Sequence, residues 1–407
     1  MGAMLRADQL AEFHTTIAAN RHSPWLKILP ENLQKEWLRR YYDVPYGKLK
    51  SHPYHELARL ILQKFGINSL VQHESGWASV DRVYKGFDRA VAARTRYLAE
   101  RGEIEAVYAY EDGALETFRQ AKKYGLKCIY DLPIAYWETS RQLLLKEAER
   151  LPAWAITLGG GIRDSEEKLD RKTKEMELAD AVICPGKFVS DSIPLWAKDK
   201  NLTISPFGSP SPNFFTENKF NKDVKSPLRI LFVGSMGQRK GLGDLFAAMR
   251  HFSPKEVELV VMGSLLAPME FYKEQLPHFR YEGGRPNEQV LTLMRSCDIF
   301  CLPSIVEGRA LVMQEAMSQG LPLIITANTG GEDLIQHGQT GFLVPTGSPE
   351  SIAEQIAWFL DNRKDIPSMG KLAQQHASLY TWEEYGSRIS KGIIAHLVTK
   401  QIQPIKS

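Results

Sequence analysis

The chain has 407 residues, of which 43% are hydrophobic and 24% charged, and its formal net charge is +3. This length predicts two globular domains, and so small a charge argues against a nucleic-acid partner. The four cysteines show no paired CxxC spacing, so a zinc site is not expected. No apolar run reaches the roughly 20 residues of a membrane span and no signal peptide opens the chain, which predicts a cytoplasmic protein.

The first half of the chain alternates between strand and helix patterns, with some irregularity. A strand is predicted within 10–18, and a long helix over 79–98. Asp112 is a natural N-cap for the helix predicted over 113–124. The other expected strands are 106–110, 127–131, 154–158, 181–184 and 202–205, and the other expected helices are 33–42, 55–64, 137–150 and 165–178. This alternation predicts an α/β domain.

The second half is more regular. The segment 213–226 is mostly polar and is predicted to be a linker, so the expected domains are 5–215 and 227–382. Short apolar runs bounded by Gly or Pro predict strands at 229–233, 258–262, 298–302, 322–326 and 341–344. Helical stretches between most of them predict right-handed crossovers and a parallel sheet. Ligands of such sheets bind outside the carboxyl ends of the strands.

Glu307 and Glu315 bracket the segment after the third of these strands. Gly308 marks the expected start of a helix, which would place Glu307 in a loop and Glu315 about two turns inside the helix. The free N–H groups and positive dipole end of that helix would face a cleft. A diphosphate is the ligand that such a helix end favours.

A second strand-to-helix turn, starting at Gly234 and Ser235, carries Arg239 and Lys240. A P-loop is rejected, because that signature requires Gly-Lys-Ser/Thr and this turn reads Arg-Lys-Gly. The alternative for each cation is an ordinary solvated turn. Two cations, a helix N-terminus and two separate carboxylates together indicate a ligand that looks like a sugar nucleotide.

The second half resembles the nucleotide-sugar-binding domain of family 4 glycosyltransferases of the GT-B fold. The resemblance covers about 228–385, and a fainter match continues at 177–183 and 206–208. Its motifs are Phe232-Val233-Gly234 with Arg239-Lys240-Gly241, then Glu307 to Glu315, Ala316 to Pro322, Gly330-Gly331-Glu332 and Gly338 to Val344.

The resemblance implies two Rossmann-like domains that face a central cleft, with a terminal helix over 383–400 crossing back to the first domain. It implies a retaining, hexosyltransferase-like enzyme that moves a sugar from a nucleoside-diphosphate sugar to a saccharide or glycolipid acceptor. Such an enzyme would act in polysaccharide or glycolipid assembly. A non-catalytic sugar-nucleotide binder and another GT-B enzyme, such as an epimerase or a phosphorylase, are the alternatives.

By the same resemblance, Glu307 would reach the hydroxyls of the donor sugar and Glu315 would hold the ribose. Arg239 and Lys240 would face the diphosphate. Backbone N–H groups of Ala310 and Leu311 would add to its binding. The remaining residues assigned to the donor side are Gly234, Ser235, Arg285, Gly308 and Arg309.

The chain departs from the family in its first half. No His follows the strand 127–131, so Asp131 or Glu111 is the candidate to line the cleft in its place. No Asp-x-Asp occurs, so we expect no metal, and no cofactor beyond the donor substrate. The start of the chain lacks the strand and Gly-rich loop that open this kind of domain, which predicts an abbreviated or truncated first domain.

Aromatic residues and cations mix at 37–42 and at Lys48 and Lys50, as they do in interfacial segments. An amphipathic surface helix is the favoured interpretation of this mixture. Peripheral contact with the inner face of a membrane remains open.

Overall fold

In the computed structural model, the residues described are 1–19, 34, 37–211 and 226–398. Their strands form three parallel sheets, of two, four and six strands. Helices lie between the strands of the two larger sheets, which confirms the expected α/β fold. Residues 213–225 of the predicted linker and residues 33, 35 and 36 of the predicted helix 33–42 lie outside the described residues. Within the described ranges, no helix is both long and apolar enough to cross a membrane.

The N-terminal domain is built on the four-stranded sheet, in the order β3-β4-β5-β6, while β1 pairs separately with β2. These strands are β1 (Phe13–Thr15), β2 (Leu49–Ser51), β3 (Ala106–Tyr110), β4 (Lys127–Asp131), β5 (Ala181–Cys184) and β6 (Asn201–Ile204). The α-helices are α1 (Gly2–Arg6), α2 (Tyr54–Lys64), α3 (Val80–Glu100), α4 (Leu115–Lys123), α5 (Trp137–Arg150), α6 (Gly160–Arg163), α7 (Glu166–Leu178) and α8 (Lys187–Ser192). The central strands β4 and β5 are almost wholly buried, as in parallel sheets covered on both faces.

Helix α4 begins at Leu115, and Asp112, the predicted N-cap, does not cap it. The carboxylate of Glu175, on α7, accepts the N–H of Leu115 at 3.2 Å. Asp88, on α3, accepts the N–H of Glu116 at 2.7 Å. The cap is therefore supplied by two other helices, which local spacing could not show.

The C-terminal domain contains the six-stranded sheet, in the order β12-β11-β10-β7-β8-β9. Its strands are β7 (Leu228–Val233), β8 (Val257–Met262), β9 (Arg280–Glu282), β10 (Ile299–Leu302), β11 (Leu323–Ile325) and β12 (Gly341–Leu343). Its helices are α9 (Leu242–Met249), α10 (Met269–Gln275), α11 (Asn287–Arg295), α12 (Leu311–Ser318), α13 (Pro349–Asp361) and α14 (Ile366–Ala377). The largest apolar core of the protein lies between this sheet and its helices.

The last helix, α15 (Trp382–Val398), crosses back to the N-terminal domain, as the resemblance implies. Its Ile389 is buried in one apolar cluster with Ile129 and Ile183, from strands β4 and β5. The hydroxyl of Ser205, directly after β6, donates to the carbonyl of Tyr385 at 2.9 Å. The last described helix therefore packs on the N-terminal domain.

The predicted strand 154–158 is wrong, because Pro152–Thr157 form a 3-10 helix. Its Trp154 is 3% exposed and belongs to the apolar core of the C-terminal domain. The indole ring lies 5.1 Å from the ring of Phe271 and 5.7 Å from that of Phe246. The segment Pro152–Thr157 therefore contributes Trp154 to the core of the C-terminal domain, and this contact holds the two domains together.

Candidate functional site

The carboxyl ends of β7 and β10 lie side by side at the centre of the C-terminal sheet. From β7 the chain continues outward through β8 to β9, and from β10 it continues in the opposite direction through β11 to β12. Such a reversal of strand order leaves a crevice where ligands of open α/β sheets bind. The loop after β7 carries Arg239 and Lys240, and the loop after β10 carries Glu307. The fold therefore brings both sequence motifs to one crevice.

Arg239 and Lys240 both pair with the carboxylate of Glu307. The ammonium Nζ of Lys240 lies 2.7 Å from Glu307 Oε1, and Nη1 of Arg239 contacts the same oxygen. Arg239 also donates to the carbonyl of Val306 at 3.1 Å. Burial lowers the pKa of Lys240, and the charge of Glu307 opposes that shift. Two cations facing one carboxylate leave an excess positive charge at the crevice.

Helix α12 begins at Leu311, three residues later than the predicted start at Gly308, so Glu315 lies about one turn inside it. The N–H of Ala310 donates to the carbonyl of Thr329 at 3.3 Å and is not free for a ligand, contrary to expectation. The N–H of Leu311, in the first turn, has no acceptor in the described part of the chain. Its predicted role at a diphosphate stays open.

Gly308 is the point where the loop after β10 touches the N-terminal domain. A Cβ atom added to Gly308 would lie 1.7 Å from the carbonyl oxygen of Pro133, in the loop after β4. Any side chain there would therefore push the two domains apart. Beside this contact, Val306 and Ile305 form a buried apolar cluster with Ala135. The cleft is closed at this point.

Glu315 is half-buried and accepts a hydrogen bond from Asn287 Nδ2 at 2.8 Å. Burial raises the pKa of Glu315, while this hydrogen bond opposes the shift. Arg285 follows β9, two strands from β7, and pairs with Glu282. The half-buried Ser235 directly follows Gly234, where β7 ends. All four predicted residues, Glu315, Arg285, Ser235 and Gly234, lie near the carboxyl ends of strands or at the helix that follows β10.

Arg309 was predicted to bind the donor, but it is used within the protein. The side chain is fully buried, and its Nη1 lies 2.7 Å from Asp333 Oδ1. Nε donates to Gln314 at 2.8 Å, and the guanidinium stacks 5.0 Å from the centre of the Tyr380 ring. Each donor nitrogen of Arg309 already has an acceptor within the protein, so the side chain does not face the crevice. Its contacts stabilise the start of α12.

Asp131 and Glu111, the predicted replacements for the missing His, both face the interior of the N-terminal domain. Asp131 accepts a hydrogen bond from the hydroxyl of Tyr108, and burial raises its pKa to about 6. Glu111 lies 3.4 Å from Nζ of Lys172, and burial raises its pKa as well. Neither carboxylate contacts the residues around Glu307, so a catalytic role for them is not supported by the structure.

Sequence reasoning missed a polar network that joins the N-terminal domain to the turn carrying the two cations. Gln238 donates from Nε2 to Glu147 at 2.7 Å and to Asp244 at 2.8 Å. Its backbone N–H donates to Thr157 Oγ1 at 2.9 Å. Arg150 donates to Asp244 at 2.7 Å. These partners are scattered in the sequence, and no spacing in the chain signals them.

One group of side chains in the described residues could hold a metal ion. His73, Glu74 and Asp164 place their ligand atoms within 4.8 Å of one another. Nζ of Lys168 lies 2.9 Å from Asp164, however, and its charge would repel a cation. The group lies in the N-terminal domain, and we do not assign a metal ion to it.

The architecture is that of the GT-B fold, as comparison with solved structures shows. Sucrose-phosphate synthase from Thermosynechococcus elongatus superposes with a TM-score of 0.61 at 18% identity, over 81% of this chain and 82% of that chain. HepE of Anabaena, in complex with UDP-glucose, superposes with a TM-score of 0.54 at 18% identity, over 75% and 82% of the two chains. At such identities the likeness concerns the fold alone.

Residues 214–376 match the family described as glycosyl transferases group 1. The match lies within the C-terminal half of the chain and includes the loops that carry Arg239, Lys240 and Glu307. An uncharacterized glycosyltransferase of Methanocaldococcus jannaschii is 24% identical over 208 residues, which are 51% of this chain and 57% of the relative. The sulfoquinovosyl transferase of Arabidopsis thaliana is 26% identical over 51% of this chain and 41% of its own length. The chain thus spans about half the length of these relatives.

Proposed function

We propose that this protein is a glycosyltransferase that uses a nucleoside-diphosphate sugar as its donor and a saccharide or glycolipid as its acceptor. The observation that carries the proposal is the convergence of Arg239, Lys240 and Glu307 at the reversal point of the sheet, within the segment that matches the group 1 glycosyl transferases. HepE, which shares the fold, was solved with UDP-glucose. A nucleotide sugar is therefore the donor class that we test first.

The charges match the chemistry of sugar transfer. When the anomeric bond breaks, negative charge develops on the leaving diphosphate, and positive charge develops on the sugar. Arg239 and Lys240 would stabilise the diphosphate, and one preorganised donor of this kind typically lowers a barrier by about 2.7–4 kcal/mol. Glu307, next to both cations, would hold hydroxyls of the sugar or stabilise its oxocarbenium-like centre.

We propose further that transfer retains the configuration of a hexosyl donor, without a resident metal ion, in polysaccharide or glycolipid assembly. A cytoplasmic location with peripheral membrane contact belongs to the same proposal. The absence of Asp-x-Asp from the sequence supports the metal-independent mechanism. Closure of the domains at Gly308 supports a site that keeps water from the donor, because hydrolysis competes with transfer.

The second candidate function is binding of a sugar nucleotide without turnover. It is favoured by Asp131 and Glu111, since both carboxylates are engaged inside the N-terminal domain and neither is offered to the cleft. It is also favoured by the apolar contacts that close the cleft beside Val306.

The experiment that separates the two functions measures donor consumption. The protein is incubated with UDP-, GDP- and ADP-sugars, with and without a panel of saccharide and glycolipid acceptors, and the released nucleoside diphosphate is quantified. Release that saturates with donor, and that Glu307→Gln abolishes, supports the transferase. Saturable binding without release across the whole panel supports the binder.

A further inference from the structure

Gln238 is buried where the two domains meet, directly before the two cations of the candidate site. It is 0% exposed and begins the short 3-10 helix Gln238–Lys240, on which both cations lie. Its amide oxygen accepts the N–H of Gly243 at 2.7 Å. Its amide nitrogen donates to Glu147 at 2.7 Å and to Asp244 at 2.8 Å. The oxygen and both N–H groups of the amide are therefore in use within the protein.

The backbone of this turn is held between the N-terminal domain and the loop after β10. On the first side, the N–H of Gln238 donates to Thr157 Oγ1 at 2.9 Å. A Cβ atom added to Gly237 would lie 2.7 Å from the carbonyl oxygen of Thr157, so the two segments are in close contact. On the second side, the carbonyl of Arg239 accepts the N–H of Ile305 at 2.9 Å. These contacts fix the backbone from which the two cations extend.

The acceptors of the Gln238 amide carry two negative charges. Glu147 and Asp244 are 5% and 1% exposed, and Arg150 pairs with both of them. Burial raises the pKa of Asp244, and the charge and hydrogen bond of Arg150 oppose that shift. A neutral amide donates to both carboxylates without adding a charge. A third carboxylate at this position would be repelled by the other two.

We propose that Gln238 is a positioning residue of the donor site, which fixes Arg239 and Lys240 where a diphosphate binds. Because Gln238 is bonded to Glu147, the affinity of the C-terminal site then depends on its contact with the N-terminal domain. Gln238 does not itself reach the ligand, since its amide is buried and fully bonded. Preorganised cations lose little freedom on binding, so misplacing them lowers the affinity for phosphate in particular. The inference rests on the proposed function, because it concerns the same diphosphate.

Gln238→Leu removes the hydrogen bonds of the amide and keeps a side chain of similar volume. We expect the affinity for nucleoside diphosphate to fall about tenfold, as for a lost hydrogen bond to a charged group, and the affinity for the nucleoside to change less than about twofold. Glu147→Leu removes the partner from the N-terminal domain and should shift both affinities in the same way. Calorimetric titration of the full chain with UDP, GDP and ADP, and with uridine, guanosine and adenosine, measures these effects.

Gln238→Glu separates positioning from a general loss of stability, because its effect depends on pH. The charged groups around this position are Glu147, Arg150 and Asp244, and the cations Arg239 and Lys240 with their partner Glu307. Burial and the two nearby carboxylates raise the pKa of the introduced carboxyl group. When protonated, it donates to one carboxylate and still accepts the N–H of Gly243. Relative to the unmodified chain at the same pH, affinity for diphosphate should fall about tenfold or more near pH 8 and recover to within about threefold near pH 5.5.

Gln374→Glu is the matched control. Gln374, on α14, is 6% exposed and donates to the carbonyl of Ser318, at the end of α12 remote from Leu311. A charge buried there should lower stability but leave the ratio of the two affinities, for diphosphate and for nucleoside, unchanged at both pH values.

Equal affinity for diphosphate in the unmodified chain and in Gln238→Leu overturns the inference and leaves the proposed function intact. A loss in Gln238→Glu that is the same at both pH values, or that Gln374→Glu shares, also overturns it. If the unmodified chain binds none of the three diphosphates, the proposed function is wrong and the inference is wrong with it.

Discussion

Lys240 and Glu307 face each other across the crevice, with Nζ of the lysine 2.7 Å from a carboxylate oxygen of the glutamate. The lysine follows β7 and the glutamate follows β10, so 67 positions separate them in the sequence. A dianionic diphosphate would compete with Glu307 for this lysine and for Arg239. The carboxylate thus holds the two cations in place, and binding of the proposed donor would release it from them.

Glu307→Gln separates the role of this carboxylate in chemistry from its role in binding. The amide removes the negative charge that would stabilise the sugar, so we expect turnover to fall about 100-fold. The cations are released from their partner, so affinity for nucleoside diphosphate should stay unchanged or increase. Turnover assays and calorimetric titration with the same nucleotide check both parts.

Glu315→Gln is the matched control for that experiment. Glu315 is assigned to the ribose, which the nucleoside and the nucleoside diphosphate share. This change should therefore lower the affinity for both ligands by about tenfold, because one hydrogen bond to a charged group is lost. If Glu307→Gln leaves the rate unchanged, Glu307 has no part in the reaction.

Arg309→Met tests the finding that this arginine supports the loop from inside. Burial alone would raise the pKa of Asp333, but the pairing with Arg309 outweighs it and lowers the pKa. The pair therefore stabilises the fold above the ordinary pKa of Asp333 and loses that effect as pH falls below it. We expect Arg309→Met to cost about 1–3 kcal/mol at pH 7, measured by chemical denaturation, because the buried acceptors Gln314 and Gly330 lose their donor.

Adding Asp333→Asn to Arg309→Met should restore only a small part of the lost stability, because the carboxylate that Arg309→Met leaves unpaired is 40% exposed to water. If a variant at Arg309 is as stable as the unmodified chain but no longer binds nucleotide, Arg309 belongs to the donor site after all.

Trp154→Ala tests the contact that fastens the two domains. The indole is 3% exposed within the core of the other domain, and its removal leaves a cavity. We expect a loss of about 3–5 kcal/mol in the free energy of unfolding, together with weaker diphosphate binding, because the neighbouring Thr157 holds the turn at Gln238. Trp196→Ala, at a side chain 46% exposed, should cost about 1 kcal/mol or less. Equal losses in the two variants would rule out the proposed fastening role.

Asp131→Asn tests whether the buried carboxyl group acts in catalysis. Burial raises its pKa from an ordinary value of 3.8 to about 6, so the native state holds a proton that the unfolded chain releases. The unmodified protein therefore loses stability as pH rises from about 4 to about 6. An asparagine cannot ionise and still accepts the hydroxyl of Tyr108, so the variant should be roughly 1–3 kcal/mol more stable at pH 8 and show no slope in that window.

Thermal unfolding across pH, combined with turnover assays, checks the prediction for Asp131. Turnover of Asp131→Asn should remain within about threefold of the unmodified rate, because a factor of three corresponds to less than 1 kcal/mol. A variant that is destabilised at pH 8, or that loses activity about 100-fold, would show that the charged carboxylate is needed.

The parts of the fold that depend on local pattern were predictable. Buried strands such as β7 and β10 are short apolar runs bounded by Gly, Pro or a charged residue, and their order in the chain leads to a parallel sheet with a crevice at its reversal point. The placement of Arg239, Lys240 and Glu307 at that crevice followed from the sequence because each lies in the segment between the end of a strand and the next α-helix.

The parts that depend on distant partners were not predictable. Trp154 lies in an apolar run whose pattern is compatible with a strand, but its burial is decided by Phe246 and Phe271, more than 90 positions later. Arg309 lies between two site motifs, and only the position of Asp333 shows that its side chain turns inward. Asp131 is at the end of a strand, as a cleft residue should be, but it lies on the face covered by α15.

The central claim is that the crevice between β7 and β10 binds a diphosphate, and calorimetric titration tests it most directly. The unmodified chain, Arg239→Ala and Lys240→Ala are each titrated with UDP, GDP and ADP. The corresponding nucleosides are titrated in parallel. We predict that at least one diphosphate binds, and that each substitution weakens it by about tenfold or more while binding of the nucleoside changes little. If none of the three binds, or if diphosphate and nucleoside lose affinity equally, the crevice is not a diphosphate site.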